Sequence, residues 1–272
     1  MWAQLDEADP IRGTDGVEQP SPGVAFYRAI DAEGLFAEAE RYWKEFVGEV
    51  EIDVPDQRWA EAFAAIVGHA AMAMNEGAPD VAVINYNVFN RDGVYVANIL
   101  QKSGNADLAR EAIDYFLKHP FNGRIEPEAD NPGQIAWILG EHWRFTRDRA
   151  WLEKIWPSAQ KLAAMIEYYR TTPEPHWVSP DSLEFGEALP SDQRKRLRPG
   201  ACDGYHPEYT EAFDIAGVRA IALLAREMKD GAAEEKWTAL VGRLSKEYDE
   251  RFGASLRKKE YGDYCVLWPC RL

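Results

Sequence analysis

The stretch Asn85-Tyr86-Asn87-Val88-Phe89-Asn90-Arg91-Asp92-Gly93-Val94-Tyr95 gathers aromatic rings, amides and one Arg-Asp pair directly ahead of a predicted helix. A helix start leaves backbone N–H groups without partners, so polar ligands can be held there. Asp92 can accept from two hydroxyls and Arg91 can donate to them. With the ring faces of Tyr86 and Phe89 alongside, the set suits a polyhydroxylated ligand such as a sugar. The structural alternative is an ordinary loop and N-cap in which Arg91 and Asp92 pair with each other. Two further stretches carry chemistry. One holds Glu126, Glu128, Asp130 and Asn131, followed by Gln134. The other holds His176, Trp177, Asp181, Glu184, Glu187, Asp203, Tyr205, His206 and Glu208.

The elements that must position these residues read as helices. The pattern predicts helices over 33–48, 56–75, 90–103, 106–118, 132–147, 149–171, 209–228 and 231–252. They are of two kinds. The helix 106–118 has Leu108, Ala112, Ile113 and Phe116 on one side and charges on the other, and 149–171 and 231–252 follow suit. Such one-sided helices face water. The stretches Gly93–Leu100, Ile135–Gly140 and Ile215–Leu224 are apolar on nearly every face and read as buried on all sides. Small residues within them let neighbours approach closely.

The order repeats: long loop, buried helix, short turn, one-sided helix. A repeated helical hairpin needs neighbouring copies to bury its faces. The expected class is all-α, an (α/α) toroid with inner helices 90–103, 132–147 and 209–228 and outer helices 106–118, 149–171 and 231–252. The long connections 76–90, 119–131 and 173–208 all precede inner helices, so they should gather at one end. Residues 1–32, rich in Gly, Pro and Asp, read as an irregular N-terminal segment, and 33–272 as the helical domain.

The 272 residues carry a net charge of −15, which argues against nucleic acid and anionic membranes. The three cysteines, Cys202, Cys265 and Cys270, make no disulfide framework, although a Cys265–Cys270 bridge is open. No zinc-ligand spacing occurs, and no cofactor or metal is expected. No apolar run can span a bilayer. The acidic start lacks the features of a signal peptide, so a soluble, cytoplasmic protein is the default expectation.

Three motifs now carry a resemblance. Phe89-Asn90-Arg91-Asp92-Gly93-Val94-Tyr95 is similar to a Trp-x-Arg-Asp-Gly-Ala pattern opening an inner helix. Asp130-Asn131-Pro132-Gly133-Gln134 leads to Gly140-Glu141-His142-Trp143-Arg144-Phe145-Thr146-Arg147-Asp148-Arg149-Ala150-Trp151-Leu152, which looks like an E-x-x-R-x-T-G-D-x-x-W-L hairpin. Pro199-Gly200-Ala201-Cys202-Asp203-Gly204-Tyr205 precedes Tyr209-Thr210-Glu211-Ala212-Phe213. Over roughly residues 50–255 the chain resembles the six-hairpin glycosidase superfamily, the (α/α)6-barrel enzymes that include glucoamylase-like glycoside hydrolases. It departs from them at Asp203, where a Glu is expected, and at Thr210, where a Trp is usual. The family barrel has six hairpins, and about four are visible here. An open crescent with an exposed apolar edge is therefore expected, relieved by a partner chain or by hairpins beyond Leu272.

The resemblance implies glycoside hydrolysis by two carboxyl groups, with the inverting scheme favoured; there the pair stands about 6.5–9.5 Å apart. It places the acid at Asp203, with Glu211 as runner-up, and the base in a later hairpin. Arg91 and Asp92 would form the first sugar subsite. Tyr86, Phe89, Trp177 and Tyr205 would stack on sugar faces, and Asn131 and Gln134 complete the expected substrate-binding set. Arg91, Asp92 and Asp203 should share one acidic cleft. Glu141, His142 and Arg144 lie near the far end of their helix and read as packing and capping groups, and His69 reads as a core histidine. Two other classes stay open. One is a lyase or epimerase built on Tyr205, His206 and Tyr209. The other is a non-catalytic carbohydrate-binding scaffold.

Overall fold

A computed structural model describes residues 11–12, 18–19, 29–81, 88–121, 128–172, 200–202, 204–254 and 264–272. The described residues are mostly helical. In chain order the helices are α1 (Ala32–Val47), α2 (Arg58–Met72), α3 (Asn90–Lys102), α4 (Ala106–Lys118), α5 (Asn131–Thr146), α6 (Arg149–Thr171), α7 (Pro207–Met228), α8 (Gly231–Phe252) and α9 (Tyr264–Leu267). The chain divides into two units, Met1–Gly48, which holds α1, and Glu49–Leu272. Within that first unit, a short pairing of Ile11–Arg12 with Glu18–Gln19 precedes α1. The rings of Tyr42, Trp43 and Phe46 cluster on α1, which has no buried residue.

In the second unit the expected alternation holds. The helices α3, α5 and α7 pack in a row, with α5 against both neighbours. Each outer helix lies in the groove beside them: α4 on α3 and α5, α6 on α5 and α7, and α8 on α7. Ile138 and Ile221 on the inner row are fully buried, while Lys154 and Glu235 on the outer helices are exposed. The helix α3 departs from all-round burial. Val94, Ala97 and Leu100 are buried, but Tyr95, Val96 and Ile99 are only half-buried on the side towards α2.

Two of the three turns between inner and outer helices share one device. Arg147 (φ 51°) ends α5 and Lys229 (φ 62°) ends α7 in the left-handed conformation. The following Asp caps the outer helix: Asp148 accepts from the Trp151 N–H at 3.0 Å and Asp230 from the Ala233 N–H at 3.1 Å. Each cap satisfies one of the orphan N–H groups of a helix start. At the same end, the buried His142 ring meets Gln101 through Nδ1 at 3.2 Å, and its Nε2 accepts from Arg110 at 3.3 Å. Burial and the Arg110 charge hold His142 neutral, with its pKa lowered to about 4. The group joins α3, α4 and α5, so His142 belongs to the frame, as its helix position implied.

The chain's last described segment does not run out as a loop. It forms α9 and then folds back, with the Cys270 N–H bonded to the Cys265 carbonyl and Arg219 of α7 donating to the Cys270 and Arg271 carbonyls. Trp268 stacks on Tyr95, with centroids 5.5 Å apart, and stands edge-on to Trp137.

Glycines fix the spacing of the inner row. A Cβ on Gly133 would lie 2.6 Å from the Phe213 carbonyl, and one on Gly217 would lie 2.6 Å from the Gly133 carbonyl oxygen. The obstacle is backbone in both cases, so the two helices would have to separate. Gly242, on α8, has nothing within 4 Å of the same point. Gly217→Ala is expected to destabilise the fold by about 3 kcal/mol through overpacking. Gly242→Ala should stabilise it by about 0.5–1 kcal/mol by removing backbone freedom from the unfolded chain. Chemical denaturation of the two variants checks this; equal effects would contradict the close contact.

Candidate functional site

The described residues just ahead of α3, α5 and α7 come together at one end of the inner row. The Ala129 N–H donates to the Ala201 carbonyl at 2.8 Å, joining the second loop to the third. Arg91, in the first turn of α3, reaches across to the second loop. Its Nη1 lies 2.9 Å from Glu128 Oε2 and 3.6 Å from Asp130 Oδ2. Asp130 Oδ2 in turn accepts from Gln134 Nε2 at 2.7 Å, and that same amide nitrogen lies 3.4 Å from the Tyr209 hydroxyl on α7. One chain of polar contacts, Arg91–Asp130–Gln134–Tyr209, therefore links all three inner helices.

The electrostatics of this chain are unequal. Asp130 is wholly buried, and burial first, then the Glu128 charge, pushes its pKa up to about 8, against the pull of Arg91 and the Gln134 amide. The shift favours the protonated form of Asp130 at neutral pH. Glu128, the nearer carboxylate, supplies the countercharge to Arg91. Burial works against the Arg91 charge, but the neighbouring Asp130, Glu128, Tyr209 and Asp92 outweigh it, and the guanidinium is held more firmly protonated. Asp130 Oδ1 and Gln134 Oε1 are buried and have no hydrogen-bond partner. A second carboxyl, Asp214 on α7, is also raised well above its ordinary value, by burial and by Glu211 and Asp130, with Arg170 opposing.

Asp92, one residue on, faces elsewhere. It lines a groove of about 340 Å³ between α2 and α3 with Ile66, His69, Asp80, Tyr95 and Ile99 among its walls. His69 therefore borders a groove instead of sitting in the core. Arg91 and Asp92 are thus not each other's main ion-pair partner: successive helix positions point about 100° apart, and Glu128 and Asp130 take the arginine.

The remaining expected site residues divide. Phe89 is buried at the N-cap of α3. Asn131 and Gln134 are fully buried in the first turn of α5, below the loop ends. Tyr205 is half-exposed beside Ala201, with which it forms a short backbone bridge. Glu211 points away from the loops: Arg170 of α6 grips both its oxygens, at 2.7 and 2.8 Å, and Arg251 of α8 also pairs with it. Tyr86, Trp177 and Asp203 lie outside the described residues. Their neighbours bear on the site only for Asp203. Cys202, buried, is close enough that Asp130, Arg91, Glu128 and Glu208 all influence its thiol. The motifs name Glu128, Asp130, Cys202 and Tyr209 without giving them a place in the expected glycosidase site. The signal for Asp130 was its place just ahead of an inner helix, but only the fold shows its burial. Among the described residues, no group of three or more His, Cys, Asp or Glu could hold a metal ion, and no helix is long and apolar enough to cross a membrane.

The chain is similar to a protein of Methanocaldococcus jannaschii described as an uncharacterized glycosyl hydrolase: 26% of 146 aligned residues are identical, covering 45% of this chain and 24% of that protein. The match thus spans about a quarter of the relative's length. No protein-family model matches the chain, and no solved structure does.

The raised acid gives a direct test. A carboxyl with its folded pKa at about 8 and its ordinary value at 3.8 favours folding below the ordinary value. That contribution is lost as pH rises through the folded value. Asparagine mimics the neutral form at every pH. The stability of Asp130→Asn relative to the unsubstituted chain should therefore grow by about 1.4 kcal/mol per pH unit between about pH 5 and 8. Urea melts across that range check it, and parallel pH profiles would contradict a neutral Asp130.

Proposed function

We propose that this chain is a glycoside hydrolase, or a domain of one, and that it takes a sugar residue at the loop ends ahead of α3, α5 and α7. The supporting observation is the meeting of Arg91 and Glu128 across the first two loops, where the second loop is bonded to the third. Loops placed by a rigid helical frame are where binding groups collect. The similarity to a protein described as a glycosyl hydrolase supports the same chemistry.

In this reading Arg91 donates to sugar hydroxyls from a position fixed by Glu128, and Asp92 accepts from others along the α2–α3 groove. Asp130 stays protonated and buried, and it orients Arg91 without touching the substrate. Asp203 is the acid that protonates the leaving oxygen. Its sequence neighbour Cys202 lies within reach of the Arg91 group's charges. The base is a second carboxylate, as inversion requires. Glu211 belongs to the frame, because its two arginines hold it between α6 and α8. The exposed apolar side chains Trp59 and Met72 of α2 are left for a partner chain or further hairpins.

The test is turnover of a panel of aryl glycosides, with ligand affinity measured alongside. Asp92→Asn should weaken binding about tenfold to a hundredfold by removing a charged acceptor. Asp203→Asn should retain binding and lose turnover by about 10²-fold or more. Full turnover in Asp203→Asn removes that residue from the mechanism. Binding without turnover in the unsubstituted chain supports a carbohydrate-binding scaffold instead. Neither binding nor turnover across the panel overturns the reading.

A further inference from the structure

Cys265 and Cys270 are both fully buried, the first within α9 and the second in the turn that follows it. The Cys270 N–H donates to the Cys265 carbonyl at 2.9 Å, and the two thiols are hydrogen-bonded to each other. The two buried side chains thus meet in one turn of chain, and a disulfide needs its two cysteines that close. The Leu272 N–H closes on the Val266 carbonyl at 3.0 Å, so the segment is folded back on itself around the pair. The third cysteine, Cys202, sits beside Asp130 and Arg91 and takes no part.

We propose that Cys265 and Cys270 are a redox pair that closes to an intrachain disulfide, with a small-molecule disulfide as the oxidant, and that the bridge latches the C-terminal segment in its folded-back form. The segment carries Trp268, whose ring stacks on Tyr95 and stands edge-on to Trp137 at 6.3 Å. Tyr95 also lines the groove that Asp92 faces. The latch therefore steadies Trp268 against Tyr95, one wall of that groove.

The chemistry balances as two exchanges. One cysteine thiolate attacks the small disulfide, forming a mixed disulfide and releasing one small thiolate. The second cysteine thiolate attacks the protein sulfur of that mixed disulfide and releases the other. The two protein thiol protons pass to the two departing thiolates. The protein is oxidised by two electrons and the small disulfide is reduced. Burial, then the Cys265 thiol, pushes the Cys270 thiol well above its ordinary value, while Arg219 pulls it down and Asp214 opposes Arg219. Exchange is consequently slow near neutrality and quickens as the pH rises.

The experiment treats the native chain with oxidised glutathione or with a reducing thiol, then alkylates and digests with trypsin. The peptide Glu260–Arg271 carries both cysteines. After oxidation it should be lighter by two hydrogens and unalkylated, with both alkylation sites restored by reduction. Cys202 should remain open to alkylation once the chain is denatured. In Cys265→Ser the reaction should stop at a glutathione adduct on Cys270. Amide exchange over 264–272 should slow about tenfold or more in the oxidised chain, as closing a short loop stabilises by more than 1 kcal/mol. Two alkylated or two separately glutathionylated cysteines would overturn the pair. A bridge with unchanged amide exchange would overturn the latch.

Discussion

A cation that is mostly out of water must find its countercharge within a few ångströms, or the fold bears the cost of desolvating it. Arg91 is that cation here. Its side chain is 13% exposed, and the nearest carboxylate comes from a different loop, at Glu128. Pairing them ties the start of α3 to the start of α5. A second carboxyl beside the same guanidinium would leave the group net negative in a buried place. Asp130 avoids that by staying protonated, which frees its partnership with Gln134 from the need for a further cation. The Gln134 amide then reaches Tyr209, and through it α7 enters the group.

That reach is short only because α5 and α7 nearly touch. Gly133 precedes Gln134 in sequence and rests on the Phe213 carbonyl, while Gly217 rests on Gly133. The glycine contact and the polar chain are therefore two parts of one arrangement: the first sets the distance that the second spans. On the outer side, the ion pairs of Glu211 with Arg170 and Arg251 hold α6, α7 and α8 together at the level where the loops meet. The chemistry proposed for the loop ends thus rests on a frame fixed from both sides.

Much of that frame is legible in the sequence, because it follows from periodicity. The eight long helices and their alternation came through within a few residues, and the small residues of the inner stretches foretold close packing. Partner choice was less legible. Arg91 and Asp92 are adjacent in sequence and invite pairing, but helix geometry sends them to different faces. The sequence marked Glu211 as a carboxyl near a motif. Its two arginines lie 41 residues before it and 40 after it, which local patterns do not report. Phe89, Asn131 and Gln134 were read from their motif positions as ligand contacts, yet the folding of the first helical turns buries them. The return of the chain through α9 onto Tyr95 and Trp137 depends on long-range ring stacking that no local spacing encodes.

A protonated acid at Asp130 leaves Glu128 as the main countercharge to Arg91. Carbon NMR of the chain labelled at the aspartate carboxyl carbons tests it most directly, with the Asp130 signal identified by its loss in Asp130→Asn. This one carboxyl should titrate with a midpoint near 8, well above its ordinary 3.8. A midpoint in the ordinary carboxylate range, with the group ionised at neutral pH, would contradict it.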